Sequence, residues 1–360
     1  MQPVDNYDNN CYKLIWFIGI VIGIIVKNVL VAGGAGFIGS HIAQLLQKRG
    51  CNVRILDNFV GGRQNLQYFD ESIEVLEGDC CNKIDCKKAL TGVDTVFHLA
   101  AHAAEGQSIF IPAFNAQTNL IGSITVLAES INAGVKDFVF TSSIAAYGKP
   151  AILPVKETAA LNPEDPYAVT KKAFEDYLRV YFELGQINPY IVRFFNVFGP
   201  RQRMDDPYRG VIPIFINKCL KREPPVIFGD GLQKRAFTFI SDVVEPICSI
   251  VGKKKLINSP VNIGTEEIHT VKELAELIIK KMGLNLKPQF IEKRTSDVKV
   301  TYCDTSKAKA LLGYSAKVSL DEGLDRTIEW AKELGAQEFK YFDFAEIPRL
   351  AHNAYTEKKI

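Results

Sequence analysis

From residue 28 to about 195 the chain alternates short apolar runs with longer amphipathic stretches. The apolar runs fall at 29–32, 53–56, 73–77, 95–99, 137–141 and 190–194 and draw mostly on Val, Ile, Leu and Phe. Runs this short and continuous predict strands covered on both faces, and the stretches between them have the length of helices. Strand and helix in turn give a parallel sheet with helices on both sides, so the expected fold class is α/β, a doubly wound sheet. Beyond Gly199 and Pro200 the alternation loosens, prolines gather at Pro207, Pro213, Pro224 and Pro225, and a helix is predicted over 270–282. The expected organisation is a large domain over 28–196, a smaller α/β lobe over 197–345, a return crossing near 235–263 and a tail over 346–360.

A different apolar pattern precedes the first strand. Residues 14–26 are uninterrupted apolar residues between Lys13 and Lys27, with Asp5 and Asp8 upstream. As a helix such a run would reach about 20 Å, short of the roughly 30 Å hydrocarbon core of a bilayer. The acidic residues spoil the positive flank of a secretory signal, and no small-residue cleavage site precedes the first strand. Residues 1–27 are therefore read as an N-terminal extension. Membrane contact through 14–26, a partner-binding helix and an extension packed on the domain all stand open, and the expected location is cytoplasmic with membrane association left open. Lys plus Arg number 43 against 41 Asp plus Glu, so no net charge recruits nucleic acid. The 8 cysteines and 5 histidines lack zinc-like spacing, which predicts reduced thiols and no metal site.

The chemistry begins at the first strand. Its run VLVAGGAGFIG leads into a turn with Gly33, Gly36 and Gly39 and then a helix. Such glycines let backbone N–H groups approach a pyrophosphate while the helix N-terminus favours the anion, the signature of a Rossmann-type dinucleotide site. The second strand closes on Asp57, where that site needs an acceptor for ribose hydroxyls. A carboxylate there opposes a ribose phosphate and favours NAD over NADP, although Arg63 in the next loop keeps the alternative open. Further along, Tyr167 and Lys171 lie four residues apart on a predicted helix and therefore share a face. A phenol is a poor base at neutral pH unless a fixed cation stabilises its anion, and Lys171 is placed to do so.

Over roughly 28–330 the chain resembles the extended short-chain dehydrogenase/reductase family, in its branch of NAD-dependent sugar-nucleotide epimerases and dehydratases. The resemblance is carried by VAGGAGFIGSH, ILDNF, EGDC, HLAA, FTSSIAAYG, PYAVTKK, RFFNVFGPRQ, IFGDGLQKRAFTFISDVVE, and RTSDV followed by DTSKAKALLGY, in the family's order. It implies NAD as cofactor, a nucleotide-sugar substrate held by the smaller lobe, and a homodimer through the helix bearing Tyr167 and the helix near 115–133. Gly33, Gly36 and Gly39, with Phe37 and Ile38, would form the pyrophosphate turn. Asp57 and Asn58 would meet the adenosine ribose, and Asp79 with Cys80 the adenine edge. Ala100 and Ala101 would line the nicotinamide channel, with Leu99 and Phe194 also in the cofactor set, and Asn119 would hold nearby backbone. Ser143, Tyr167 and Lys171 would be the catalytic set, with Ser142 a neighbouring competitor for the serine's place. Asn196, Arg235 and Arg294 would bind the sugar diphosphate, the arginines because a planar fork suits phosphate oxygens.

The resemblance also implies a reaction. Tyr167 takes a proton from a sugar hydroxyl, carbon-bound hydrogen leaves to NAD, Lys171 lowers the tyrosine pKa and Ser143 hydrogen-bonds the same sugar oxygen. Family members that eliminate water carry an Asp-Glu pair directly after the catalytic Ser/Thr, and decarboxylases usually a glutamate at the second of those positions. Here Ile144 and Ala145 stand there. The expected outcome is 4-epimerisation of a UDP-hexose or UDP-N-acetylhexosamine, with a uronate epimerase, a dehydratase, a decarboxylase or a non-catalytic binding protein as rivals. His102 and Glu105, in the loop HAAEGQS, are candidates for an added acid or base, against a plain solvated carboxylate at Glu105. Thr301 falls on the family's gate position, and its small side chain predicts that N-acetylated sugars enter.

Overall fold

The computed structural model describes residues 28–293 and 299–360. Seven parallel strands form the central sheet in the order β3-β2-β1-β4-β5-β6-β11. They are β1 (Asn28–Ala32), β2 (Asn52–Asp57), β3 (Glu74–Glu77), β4 (Thr95–His98), β5 (Asp137–Ser143), β6 (Asn188–Phe194) and β11 (Val261–Ile263). Between the last two come β7 (Val197–Phe198), β8 (Val226–Phe228), β9 (Lys234–Ala236) and β10 (Thr238–Phe239), and after them β12 (Ile268–Thr270), β13 (Gln289–Ile291) and β14 (Val300–Thr301). The central strands read as continuous apolar runs because both faces are covered: Leu30, Val31, Ala32, Ile55, Val96 and Val139 are wholly buried. β3, at the edge, is the exception, with Glu74, Val75 and Glu77 exposed.

The strand order reverses between β1 and β4, and a crevice opens where the chain leaves those two strands in opposite directions. Each expected strand is present, with β5 running two residues further than its apolar run, to Ser143. The seventh strand has no counterpart among the predicted runs, because a three-residue strand leaves too little periodicity to read. It is delivered by a return of the chain: β10 pairs with β7, the helix Ile240–Cys248 packs on the helix Phe37–Lys48, and β11 joins β6.

The smaller lobe contains the parallel pair β8 and β13, the sheet β12-β9-β14, and the helices Val211–Leu220 and Val271–Lys281. The second of these starts at a reciprocal cap in which Thr270 and Glu273 each accept the other's backbone N–H, at 3.1 and 2.8 Å. From residue 335 the chain runs to residue 360 over both lobes, burying Ala354, Tyr355 and Ile360 against Ala104, Phe110, Tyr208 and Val226. Residues 1–27 and Arg294, which carry the extension and one expected phosphate contact, lie outside the described residues. Among the described residues no helix is long and apolar enough to cross a membrane.

Candidate active site

A single cleft of about 750 Å³ runs from the glycine-rich turn to the smaller lobe. At one end, Gly33 has φ +80, and a Cβ there would come within 2.6 Å of the Ala100 backbone nitrogen. A Cβ on Gly39 would meet the Gly33 carbonyl oxygen at 2.1 Å, so only glycine lets the helix Phe37–Lys48 sit this close to β1. That helix begins at Gly36 with no side-chain cap, leaving its first N–H groups directed at the cleft, as an anion site requires.

Asp57, half-buried at the end of β2, accepts from the Phe59 and Ala35 N–H groups at 2.8 and 3.0 Å, which fixes its carboxylate beside the turn. Burial pushes its pKa up, while those two bonds and Arg63 pull it down. At the surface beside it, the Arg63 guanidinium pairs with Glu77 and lies 3.8 Å from the Phe59 ring centre. Asn58 donates to Asp79 at 3.1 Å, and Phe37, Ile38, Cys80, Leu99, Ala100, Ala101 and Phe194 complete this end of the lining. The donor set and the uncapped helix fit a dinucleotide. Asn119 holds nearby backbone, as the resemblance implies, without lining the cleft itself. It stands behind the cleft in a π-turn, Gln117–Ile121, and its side chain is spent on the His102 N–H at 2.7 Å and carbonyl at 3.1 Å.

The middle of the cleft holds Ser143, Tyr167 and Lys171, each less than a tenth exposed. The helix Pro166–Glu183 delivers the last two, started by Asp165, whose carboxylate accepts the Ala168 N–H at 2.8 Å, and by Pro166 in the first turn. Ser143 ends β5, its Oγ accepts the Ala145 N–H at 3.1 Å, and it stands close enough to the Tyr167 phenol to oppose the rise in its pKa. Its neighbour Ser142 donates to Glu175 at 2.5 Å, on the other side of the strand, which separates the two candidate serines. Lys171 donates from Nζ to the Thr141 carbonyl at 2.8 Å and stands 5.7 Å from the Tyr167 ring centre.

The electrostatics differ from the sequence expectation. Burial pushes the Tyr167 phenol well above its ordinary range, the Glu105 carboxylate pushes the same way, and the Ser143 hydroxyl and Arg209 guanidinium only partly oppose them. Burial also draws Lys171 down to about 7, against the pull of Glu175. In the protein alone, the cost of removing a phenolate from water outweighs any help from the lysine. Glu105 thus acts on the phenol despite being exposed. His102 is buried and 2.8 Å from Gln107 Oε1, and its pKa is lowered first by burial and then by Arg209.

Toward the smaller lobe, Asn196 adopts φ 40 and donates to the Ala236 carbonyl at 3.0 Å, which ties β6 to β9 beside Arg235. Both residues line the cleft. Thr301 does not. It is 6% exposed within β14, paired with Arg235 along the backbone, so its side chain is packed inside the small sheet rather than at the cavity wall. Arg203, Tyr208 and Arg209 do line the cleft, and sequence reasoning missed them. The signal was the dense charge of RQRMDDPYRG, now seen as ion pairs of Arg203 with Asp205 at 2.6 Å and Arg209 with Asp206 at 2.7 Å.

Comparison with known proteins agrees with this geometry. Residues 29–264 match the NAD dependent epimerase/dehydratase family. The chain is 37% identical over 308 residues to a putative UDP-glucose 4-epimerase of Methanocaldococcus jannaschii, covering 84% of this chain and 98% of that one. It is 32% identical to UDP-glucuronic acid decarboxylase 1 of Danio rerio, over 86% of this chain and 74% of the relative. Among solved structures, the UDP-N-acetylglucosamine 4-epimerase of Methanobrevibacter ruminantium, in complex with UDP-N-acetylmuramic acid, superposes with a TM-score of 0.80 at 32% identity, over 86% of this chain and 100% of that one. With an uncapped glycine turn, the Asp57 carboxylate beside it and a Ser-Tyr-Lys cluster in one cleft, the chain belongs to the NAD-dependent epimerase/dehydratase family and is an NAD-dependent enzyme of it.

Proposed function

We propose that the protein interconverts the C4 epimers of a UDP-hexose or UDP-N-acetylhexosamine. The observation that carries this reading is the placing of Ser143 beside the Tyr167 phenol in the cleft, followed along the chain by Ile144 and Ala145, which also line it and bring no acid or base. Bound NAD supplies a reversible hydride acceptor. As the phenolate, which the charge of bound NAD and the Lys171 ammonium would favour, Tyr167 receives the proton of the sugar 4-hydroxyl and later returns it, Ser143 donates to the same sugar oxygen, and Lys171 holds the β5 end through the Thr141 carbonyl. Asn196 and Arg235 face the diphosphate, where a guanidinium fork suits the oxygens. Inversion needs the keto sugar to present its other face, and a wide cleft permits that turn. Similarity to enzymes named for UDP-glucose and UDP-N-acetylglucosamine supports both sugars, a support that Thr301 no longer supplies.

A second reading has its own observation. Arg209 lines the cleft and acts electrostatically on both Tyr167 and His102, so a cation stands close to the reacting end and suits a uronate carboxylate. NMR of the products from UDP-glucose, UDP-N-acetylglucosamine and UDP-glucuronate decides between them. C4 epimers of the neutral sugars are the expected result; conversion of the uronate alone, or loss of water or carbon dioxide, would overturn the first reading.

We infer a homodimer from the two helices at the edge of the cleft. Ile121, Val169, Tyr177 and Val180 leave 40–50% of their surface exposed on the stretches 117–132 and 166–183, a paired apolar face that a second copy would cover. A monomeric mass in light scattering at micromolar protein would contradict this.

A further inference from the structure

Residues 337–360 are tied to the substrate side of the cleft at four places. Asn217, wholly buried, donates to the Gln337 carbonyl and accepts its N–H, both at 2.8 Å. Lys340 donates from its backbone to the Asp205 carbonyl at 2.7 Å and pairs with the Asp205 carboxylate at 2.9 Å. The Tyr208 hydroxyl accepts the Phe342 N–H at 3.1 Å. Glu346 caps the helix Pro112–Ala116 by accepting the Ala113 and Phe114 N–H groups at 2.7 and 2.8 Å.

Two consequences reach the cleft itself. The Phe342 ring packs on His102 and Phe114, at 5.8 and 5.3 Å between centroids, so the segment braces the loop that also carries Glu105 and Ser108. The Ser108 hydroxyl accepts the Tyr167 backbone N–H at 3.2 Å, which links that brace to the first turn of the helix bearing Tyr167. Further on, Tyr355 packs on Tyr208 at 4.8 Å and on Phe228 at 5.9 Å, and the Ile360 carbonyl is held by the Tyr341 hydroxyl at 2.8 Å. Tyr355 and Ile360 then line the cavity together with Val226 and Phe228.

We propose that the segment 337–360 is a working part of the substrate site. Tyr355 and Ile360, with Phe228, form an apolar and aromatic surround for the nucleobase of the substrate, and Phe342 and Glu346 are positioning residues for the loop beside Tyr167. The chemistry favours this assignment because a flat base offers a large apolar face, which aromatic walls recognise without specific hydrogen bonds. The inference rests on the nucleotide-sugar reading above and adds the residues that select affinity.

The test uses the full chain with its bound NAD and UDP as the probe. Tyr355→Leu with Ile360→Ala is expected to raise the Kd for UDP about tenfold, a change of about 1.4 kcal/mol, with NAD content unchanged and the melting temperature lowered by the lost packing. In the parental protein, UDP is expected to slow amide exchange at 351–360, a readout that needs no substitution. Glu346→Gln is expected to lower kcat more than it raises KM and to move the pH profile, which simple loosening of the surface would not do. A Kd within twofold of the parental value, or exchange at 351–360 that ignores UDP, overturns the inference and leaves the nucleotide-sugar reading standing. Failure of the parental protein to bind UDP at all removes both.

Discussion

Lys171 and Glu175 stand one turn apart on the same helix, both buried, and the protein treats them in opposite ways. Glu175 is answered on every side: Arg193 donates to it from Nε at 3.0 Å and from Nη2 at 2.5 Å, and Ser142 from Oγ at 2.5 Å. Arg193 donates in turn to the Tyr147 hydroxyl at 2.8 Å, which donates to Asn262 in β11. Burial works against the Arg193 charge, yet the bonds and charge of Glu175 lift its pKa above the usual value. Lys171, by contrast, makes one hydrogen bond among the described residues, to a neutral carbonyl, and burial draws it down to about 7. A fully answered buried charge fastens strands together. An under-answered one keeps its proton negotiable, which suits a residue beside reacting atoms.

Four experiments break or sharpen that contrast, taken from the largest effect to the smallest. Tyr167→Phe removes the proton acceptor and is expected to lower kcat by roughly a hundred- to ten-thousandfold, with bound NAD and melting temperature preserved. Activity within tenfold of the parental enzyme would move the chemistry elsewhere. Glu175→Ala strands Arg193 inside the sheet and should cost about 3–5 kcal/mol in denaturant unfolding, since the remaining charge loses its partner. A loss under about 1 kcal/mol would mean that the pair is no structural fastening.

The third experiment uses pH. The folded Lys171 releases its proton near 7 while the unfolded chain keeps it up to 10.5, so between those values the unfolded state binds more protons. Stability should therefore rise with pH across that window, by up to about 1.4 kcal/mol per unit, and the contribution is lost as pH falls through 7. Lys171→Met should flatten the slope measured by denaturant titration at pH 7, 8 and 9; identical slopes would place the amine in solvent. The smallest effect is expected from Glu105→Gln. Removing a carboxylate that raises the phenol's pKa should shift the acidic limb of kcat/KM toward lower pH, and an unmoved limb would return Glu105 to the role of a solvated loop residue.

What could be read from sequence was local. The glycine turn, Asp57 and the Tyr167–Lys171 spacing each depend on contacts within one strand-turn-helix or one helical face, and the structure brings all of them to one cleft. What escaped was set by distant packing. β11 is too short to show a period and exists only because β6 offers it an edge. Arg209, Tyr355 and Ile360 reach the cleft through loops whose course no repeat encodes, and Thr301 is turned inward by its pairing with β9. Burial, which no spacing reports, raises the Tyr167 pKa and works against the help expected from Lys171.

The pairing of Arg63 with Glu77 bears on how cofactor choice could change. Replacing Asp57 alone would remove the repulsion of a 2′-phosphate with a guanidinium already near, since Arg63 acts electrostatically on Asp57 and is held by an exposed ion pair and an aromatic ring. An exposed ion pair contributes about 1 kcal/mol or less, so the arginine can exchange Glu77 for a new anion. Preference for the unphosphorylated dinucleotide thus hangs on one carboxylate, and drift at that position is the step that would open the site to the other cofactor.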